Sequence, residues 1–266
     1  MTKRSKYSLI AISIVLLVYG FEYVLSEKEK AKVVSHGEIV KNTTNEYYLP
    51  SSTTGHIVHH NGYSLSYSEP HEQAEWVAYE LKKSQLAKTN FKRPYFEIDE
   101  AVKTGAAHWR NYKNSGYDRG HLCPAADRRY SEAAYNETFL TSNISPQKHD
   151  FNSGIWNTLE QKVRYWANKH DGVFVVTGGI LKGDMAYIGE ERVAVPDQFY
   201  KIILDNDSGN LKVIAFLISQ EDTKEPLYNF VVSVDEIEVL TGIDFFPELP
   251  DAVENRVEAN SIYNAW

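Results

Sequence analysis

The strongest constraint in this chain is a run of reactive and metal-binding residue types in its middle third. The run begins at Tyr117-Asp118-Arg119-Gly120-His121 and continues through Asn143, Asn152 and Glu160. A histidine beside an arginine can activate a water next to a phosphate group. An asparagine and a glutamate on a following helix can hold a hydrated divalent cation. A fold that gathers these side chains therefore has the parts needed to cut a phosphodiester bond.

Composition allows one sizeable globular domain and limits how the chain can meet nucleic acid. The 266 residues carry a formal net charge of −8, which disfavours a protein that coats nucleic acid with its whole surface. A local basic site remains compatible with this charge. The segment 103–129 holds six basic residues against two acids (Lys103, Arg110, Lys113, Arg119, Arg128 and Arg129 against Asp118 and Asp127). A solvated face is the other interpretation of this segment.

The single cysteine, Cys123, excludes an intrachain disulfide. It lies two residues after His121, but one Cys-His pair without further cysteines is weak support for a zinc site. We expect a small, buried thiol at this position.

The first 26 residues predict a signal peptide or a membrane anchor. A basic end at residues 3–6 precedes an uncharged apolar stretch at 9–21, an order typical of export signals. Extended to residues 7–25, the stretch approaches the ~20 residues of a membrane span. No small-x-small cleavage site precedes the charged run that follows, which favours an uncleaved anchor that inserts in the membrane. Either form predicts export, with the remainder periplasmic, extracellular or anchored outside the cytoplasm; a buried core helix is the competing interpretation.

Residues 27–46 are polar and charged without a helical or strand period, and predict a linker. Residues 47–266 predict a single domain. Within it, Ser68-Glu69-Pro70 predicts the start of a helix whose apolar residues follow the i, i+3, i+4, i+7 spacing (Ala74, Val77, Ala78 and Leu81).

Short apolar runs in the second half of the chain predict strands at 173–177, 200–204, 211–219 and 229–232. Ser233-Val234-Asp235-Glu236 is a capping box that predicts a short helix, which Gly242 ends. Strands flank helices without regular alternation. We therefore predict an α+β fold with a mixed or antiparallel sheet and helices packed on it.

A helix over 155–170 is expected to carry part of the site. Its apolar stripe is formed by Ile155, Leu159, Val163 and Trp166, and both Asn152 and Glu160 lie off that stripe. If one helix carried both polar residues, the eight-residue spacing would separate them by about 12 Å along the axis. We therefore expect Asn152 to bind the ion directly and Glu160 to hold a water of the hydrated ion. Mg²⁺ suits so few direct ligands, with Mn²⁺ as its substitute.

Three segments resemble the DNA/RNA non-specific endonucleases, the ββα-metal nucleases that include secreted bacterial enzymes and the mitochondrial endonuclease G group. The first segment is Asp118-Arg119-Gly120-His121-Leu122-Cys123-Pro124-Ala125-Ala126-Asp127. The others are 143–147 and 151–156, followed by Leu159-Glu160. Thr177-Gly178-Gly179 and 195–201 resemble later family segments, so the likeness runs from about Glu46 to the end. The resemblance implies a ββα-metal active-site motif.

Carried over residue by residue, the resemblance implies a role for each candidate. His121 would be the general base, Asn152 the direct Mg²⁺ ligand, and Glu160 the outer anchor for one of its waters. Asn143 would orient the site, and Arg119 would bind the scissile phosphate or stabilise the transition state. Arg93, in Lys92-Arg93-Pro94, matches a second family arginine in a looser context. Cys123 stands where the family pattern has a small residue.

These observations predict an exported, Mg²⁺-dependent endonuclease that acts on DNA and RNA through their backbones without reading sequence. Some relatives that lack the histidine are inactive domains, whereas this chain keeps His121, Asn152 and Glu160. Two alternatives stay open at this point. One is a phosphodiesterase acting on nucleotides or other small phosphoesters, and the other is a non-catalytic surface binding module.

Overall fold

An antiparallel sheet forms the centre of the computed structural model, which describes residues 48–207, 210–259 and 261–266. Its seven strands are Ile57–His59 (β1), Ser64–Ser68 (β2), Gln73–Lys82 (β3), Gly172–Gly179 (β6), Gln198–Asp207 (β9), Asn210–Ser219 (β10) and Val231–Val232 (β11). They lie in the order β1-β2-β3-β6-β9-β10-β11. Two small sheets pair Asp118–His121 (β4) with Ile144–Gln147 (β5), and Ala186–Ile188 (β7) with Val193–Val195 (β8).

The helices are Glu132–Glu137 (α1), Asn157–Lys169 (α2), Val234–Thr241 (α3) and Asp251–Glu258 (α4). A helical turn at His149–Phe151 and a π turn at Asn152–Trp156 lead into α2. Short 3-10 turns complete the helical structure (Glu69–His71, Lys83–Gln85, Trp109–Tyr112, Ala125–Arg128, Thr141–Asn143, Leu227–Phe230 and Tyr263–Ala265). The predicted α+β class is confirmed, and the sheet is antiparallel.

The central sheet is covered on both faces. On one face, Leu159, Val163 and Trp166 of α2 pack in a buried cluster with strand residues such as Val175 and Phe216. On the other face, α3 and α4 supply Val234, Ile237 and Val257 to a second cluster that contains Trp76 and Ile202. Two covered faces require strands that are buried and mostly apolar along their middle, as β3, β6, β9 and β10 are.

The helix predicted after Ser68-Glu69-Pro70 is wrong. Glu69–His71 forms a single 3-10 turn, and Gln73–Lys82 is β3, the strand between β2 and β6. Nearly every residue of β3 is buried, from Ala74 through Leu81. A run that is apolar on both faces contains the helical spacing by chance, so that spacing could not distinguish a helix from a covered strand.

Most of the other predicted elements are confirmed. The predicted strands at 173–177, 200–204 and 211–219 lie within β6, β9 and β10. The predicted strand at 229–232 is shorter, because Leu227–Phe230 forms a 3-10 turn and only Val231–Val232 pairs. Helix α3 begins after Ser233, whose side chain accepts from the Glu236 amide, and ends at Gly242 in the left-handed conformation.

The predicted helix over 155–170 begins later than expected. Helix α2 starts at Asn157, and Ile155 lies in the preceding π turn, where Gly154 has a non-helical backbone (φ −95°, ψ −109°). Asn152 and Glu160 are therefore not on one continuous helix, and the axial separation expected for such a helix does not apply. The apolar stripe at Ile155, Leu159, Val163 and Trp166 is buried as predicted.

The predicted signal peptide or anchor (residues 1–26) and the predicted linker (27–46) lie outside the described residues. None of the helices in the described part of the chain has the length and apolar content needed to cross a membrane.

Candidate active site

The two-stranded sheet of β4 and β5 presents the first part of the candidate site. Arg119 pairs with Pro146, and His121 pairs with Ile144. Between them, Gly120 is required by close approach, since a Cβ at this position would lie 2.1 Å from Oε1 of the buried Gln147. The two strands therefore pack closely at the position between Arg119 and His121.

His121 sits between two aromatic rings. Its ring centroid lies 5.6 Å from that of Phe96 and 5.0 Å from that of Phe139, with an edge-on approach to Phe139. Its Nε2 is buried and has no hydrogen-bond partner among the described residues. Burial, with a smaller contribution from the nearby Arg93 cation, lowers the pKa of His121 to about 4. The imidazole is consequently neutral at ordinary pH, the state in which it can accept a proton.

Two arginines lie beside this histidine. The guanidinium carbon of Arg119 lies 4.8 Å from the Phe96 ring centroid, and that of Arg93 lies 5.8 Å from Phe96 and 5.4 Å from Phe139. Both side chains line a cleft of about 420 Å³, with Trp109 on its wall. Both arginines are exposed. Their guanidinium groups are planar hydrogen-bond donors and therefore present a site for phosphate oxygens. The structure thus brings Arg93, Arg119 and His121 together.

The segment that carries Arg93 is held in place by contacts with residues 140–142. Glu97 forms a parallel bridge with Leu140, and its carbonyl accepts from the Thr141 amide at 2.9 Å. Two positions further on, the Asp99 carboxylate accepts from Ser142 and contacts His60 at 2.8 Å. Arg93 had the loosest sequence context of the candidates, and this tie explains how a distant segment reaches the sheet of β4 and β5.

Asn143 is fully buried and all its hydrogen-bonding groups face the backbone. Its Oδ1 accepts from the Cys123 amide at 2.8 Å, and its Nδ2 donates to the carbonyls of Cys123 (3.0 Å) and Thr138 (2.9 Å). Its own carbonyl accepts from Leu122 at 2.9 Å. The side chain therefore fixes the chain that leaves β4 directly after His121.

Asn152 is joined to β4 through Asp118. Its Nδ2 donates to Asp118 Oδ2 at 3.0 Å, and the same oxygen contacts His149 Nδ1 at 2.9 Å. Because the amide nitrogen is held by a carboxylate, Oδ1 is the end of the amide that a cation could use. The hydrogen bond with Asp118 raises the pKa of the exposed His149. The carboxylate is only three positions before His121 in the chain.

Glu160 lies in a partly buried group of mixed charges. Arg164 Nη1 lies 2.7 Å from Asp127 Oδ1 and 3.9 Å from Glu160 Oε2. Lys201 is fully buried, has no hydrogen-bond partner among the described residues, and places its ammonium 4.6 Å from the Trp156 ring centroid.

Burial acts on both charges of this group in opposite directions. It raises the pKa of Glu160 and lowers the pKa of Lys201, while each charge acts to restore the ionised form of the other. Burial has the larger effect on Glu160, so its pKa rises to about 7 in spite of the nearby Lys201 and Arg164 cations.

The basic segment 103–129 does not form one solvated face. Lys103, Arg110 and Lys113 are exposed, whereas Arg128 is buried. Its guanidinium donates to the Glu80 carbonyl at 2.9 Å and lies 3.4 Å from the Cys123 sulfur. The expected burial of Cys123 is confirmed.

Comparison with protein-family models matches residues 40–252 to the DNA/RNA non-specific endonucleases. The chain belongs to this family. The mitochondrial nuclease EXOG of Danio rerio is 36% identical over 230 residues, which cover 80% of this chain and 67% of the relative. Human mitochondrial endonuclease G is 31% identical over 80% of this chain and 74% of its own. Across the curated relatives compared, the chain spans from 56% to 77% of their lengths.

A solved structure supports the same assignment. The crystal structure of an EndoG/EndoGI complex aligns with a TM-score of 0.73 and 29% sequence identity, covering 82% of this chain and 94% of that one. The predicted enzyme class, a metal-dependent endonuclease, is confirmed at the level of the family.

The predicted export is wrong. The EXOG and endonuclease G relatives are named as mitochondrial nucleases, which contradicts a periplasmic or extracellular destination inferred from the N-terminus. A basic end followed by an apolar run describes how a segment meets a membrane, and it does not by itself specify which compartment receives the protein.

Sequence reasoning gave no role to Asp118, Asp127 or Lys201. All three stand inside the quoted family-like segments, so their position was a usable signal. The sequence does not show which residues form hydrogen bonds with one another. Asp118 accepts from Asn152, which is 34 residues away, and Asp127 accepts from Arg164, which is 37 residues away.

Replacement of Asn143 should test whether this residue is structural. We expect Asn143→Ala to lower the free energy of unfolding by about 3 kcal/mol, because three buried backbone groups lose their partner. Urea unfolding measures this change, with the exposed Asn136→Ala of α1 as the control. A stability equal to that of the control would show that the backbone bonds are dispensable.

Titration of the histidine rings by NMR should test the buried base. We expect His121 to stay neutral until about pH 4, whereas His149, whose pKa is raised by Asp118, takes up its proton above its ordinary range. The pKa of the imidazole is ~6.5 in the unfolded chain and about 4 in the folded protein. The contribution of His121 to the free energy of unfolding should therefore fall as the pH decreases between these two values. Variants that lack each histidine assign the signals, and protonation of His121 near 6.5 would contradict the burial argument.

Proposed function

We propose that this chain is a Mg²⁺-dependent, sequence-non-specific endonuclease that hydrolyses phosphodiester bonds in DNA and RNA. The observation that carries the proposal is the neutral His121, with its buried Nε2 free of partners among the described residues, beside the two arginines of the cleft. A base without a partner next to two phosphate-binding cations is an arrangement suited to hydrolysis of a phosphodiester.

In this proposal, His121 accepts the proton of the attacking water. Its neutral state makes the nitrogen lone pair available, and the rings of Phe96 and Phe139 limit how the imidazole can turn. Arg119 and Arg93 bind the non-bridging oxygens and offset the charge that builds up as the water adds. Asn143 acts indirectly, by holding the backbone that leaves His121.

The described residues fit a hard divalent cation. Asn152 offers Oδ1, oriented by the bond from Nδ2 to Asp118, and Glu160 supplies a carboxyl group whose ionised form Lys201 and Arg164 favour. Oxygen donors of this kind suit Mg²⁺, or Mn²⁺ in its place, and not a structural zinc ion. When bound, the ion would supply positive charge to the phosphate and the leaving oxygen. Asn152 would be its direct ligand and Glu160 its outer anchor.

The proposed contacts are to the nucleic-acid backbone. The net charge of −8 leaves little attraction away from the arginine cleft, so binding would rest on a few phosphate contacts and would weaken with salt. Phosphate contacts are shared by DNA and RNA and carry no sequence information, which supports the lack of specificity in this proposal.

Cleavage of supercoiled plasmid tests the proposal. With the full chain, we expect nicking followed by smearing in Mg²⁺ and none in EDTA. His121→Ala should lower kcat by about 10²- to 10⁴-fold, whereas His59→Ala, an exposed histidine of β1, should leave it unchanged.

The folded state of each variant is checked by circular dichroism. A folded His121→Ala protein with full activity would overturn the assignment of the base. A folded, Mg²⁺-supplied wild type that cuts a dinucleotide but no plasmid would instead identify a small-phosphoester enzyme, and one that cuts neither would identify a binding module.

The Asp118–Asn152 bond gives a test of the metal assignment. Asp118→Ala removes the acceptor that orients the Asn152 amide, so we expect the Mg²⁺ concentration for half-maximal cleavage to rise by about 10-fold or more. Asp118→Asn keeps an acceptor oxygen and should rescue part of the loss. His149→Ala, which removes only the other partner of Asp118, is the matched control. An unchanged Mg²⁺ requirement in Asp118→Ala would show that Asp118 does not position the ligand.

A further inference from the structure

A second group of carboxylates lies far along the chain from the candidate active site, between α3 and α4. Asp235 and Glu238 are three positions apart on α3, and Glu258 is on the last turn of α4. One carboxylate oxygen of each lies within 4.8 Å of the others. Since both helices pack their apolar residues Ile237 and Val257 into the same cluster, the approach of the carboxylates is fixed by the core.

Glu258 distinguishes this group from ordinary surface acids. Only 4% of the residue is exposed, and its Oε1 is buried without a hydrogen-bond partner among the described residues. A buried carboxylate oxygen without a donor is costly. Its carboxylate is one of the three that converge, so a buried carboxylate with an unpaired oxygen belongs to this group.

The largest charge effects on Glu258 come from other acids. Burial, followed by the charges of Glu238, Glu254, Asp235 and Asp244 in that order, raises the pKa of Glu258 to about 8. Within the described ranges, no lysine, arginine or histidine forms an ion pair with Asp235, Glu238 or Glu258. Like charges at helical spacing destabilise both helices, so a bound cation would relieve a repulsion that the protein itself leaves unbalanced.

The orientation of Glu238 is already fixed. Its Oε1 accepts from the Phe245 amide at 2.9 Å, just beyond Gly242, which ends α3. A ligand carboxylate that is held by a second hydrogen bond is a common feature of built cation sites. This bond also connects the acidic group to the chain between the two helices.

We propose that Asp235, Glu238 and Glu258 form a structural divalent-cation site, best suited to Ca²⁺, that clamps α3 to α4. Ca²⁺ accepts carboxylate oxygens at about 2.4 Å, so opposite ligands lie up to about 4.8 Å apart. The three carboxylate oxygens lie within 4.8 Å of one another, which is close enough for one ion to contact all three. Ca²⁺ accepts irregular, carboxylate-rich coordination, whereas Mg²⁺ requires a nearly regular octahedron, which makes Ca²⁺ the better probe.

Thermal unfolding of the full chain tests the site, in EDTA, in Ca²⁺ and in Mg²⁺. The measurement uses the Asn152→Ala background, so that the proposed nuclease metal does not contribute. At 100-fold excess over Kd, Ca²⁺ should raise Tm by roughly 5 °C, and Mg²⁺ by less. Equilibrium dialysis should give one Ca²⁺ per chain.

Two variants locate the ion. Glu258→Gln and the exposed Asp235→Asn should each abolish the Ca²⁺ shift, and each should raise Tm in EDTA because a repulsive charge is gone. Asp235→Asn serves if Glu258→Gln does not fold. Glu236→Gln, an exposed acid on α3 outside the group, should keep the shift. In a chain that retains Asn152, each of these three substitutions should leave plasmid cleavage equal to that of the wild type.

Two results would overturn the proposal. The absence of a Ca²⁺ shift in the parent would mean that Glu258 is a protonated acid that shares its proton within the group. A shift that persists in both Glu258→Gln and Asp235→Asn would mean that Ca²⁺ binds elsewhere.

Discussion

The arrangement of the candidate site depends on one buried amide. Asn143 holds the backbone at Cys123 and Thr138 through its side chain, and so joins the end of β4 to the loop after α1. Phe139, which packs against His121, lies in that loop. The same loop bridges Glu97, and through Glu97 it positions Arg93. A single side chain with every polar atom satisfied therefore fixes His121, its neighbour Phe139 and, indirectly, the distant Arg93. Its role is to hold the backbone, since no atom of the amide is left for a substrate.

Burial has opposite consequences for the groups around this amide. Asn143 is fully paired, whereas the His121 nitrogen and the Lys201 ammonium are buried without hydrogen-bond partners among the described residues. The cost of such burial is lost stability. For His121 the same cost keeps the ring neutral, as a base requires. For Lys201 it is partly offset by the Trp156 ring and by the nearby Glu160 charge. The site thus contains unfavourable burial, in keeping with the usual conflict between activity and stability.

The sequence predicted the parts of the fold whose signals are local. The strand runs, the Ser233 cap and the Gly242 end of α3 depend on neighbouring residues, and each is found. The helix predicted after Ser68 failed because β3 is covered on both faces, which removes the alternation that would have marked a strand. The break at Gly154 between Asn152 and Glu160 has no signal beyond a glycine in a helical pattern. The spacing identified which side chains were candidates, but the partners Asp118, Asp127 and Lys201 depend on contacts across dozens of residues, and periodicity does not encode these.

The two places where carboxylates gather differ in how their charge is balanced. Around Glu160 and Asp127 the chain supplies Arg164 and Lys201, so the negative charge is already offset and a cation there can be few-liganded and exchangeable. Around Glu258 the neighbours that act on its pKa are all acids, so charge balance must come from a proton or from an ion. A group that the protein neutralises itself is suited to chemistry in which the ion and substrate come and go. A group of carboxylates whose charge the protein does not neutralise, between two helices that cover one face of the sheet, is suited to a permanently bound structural ion.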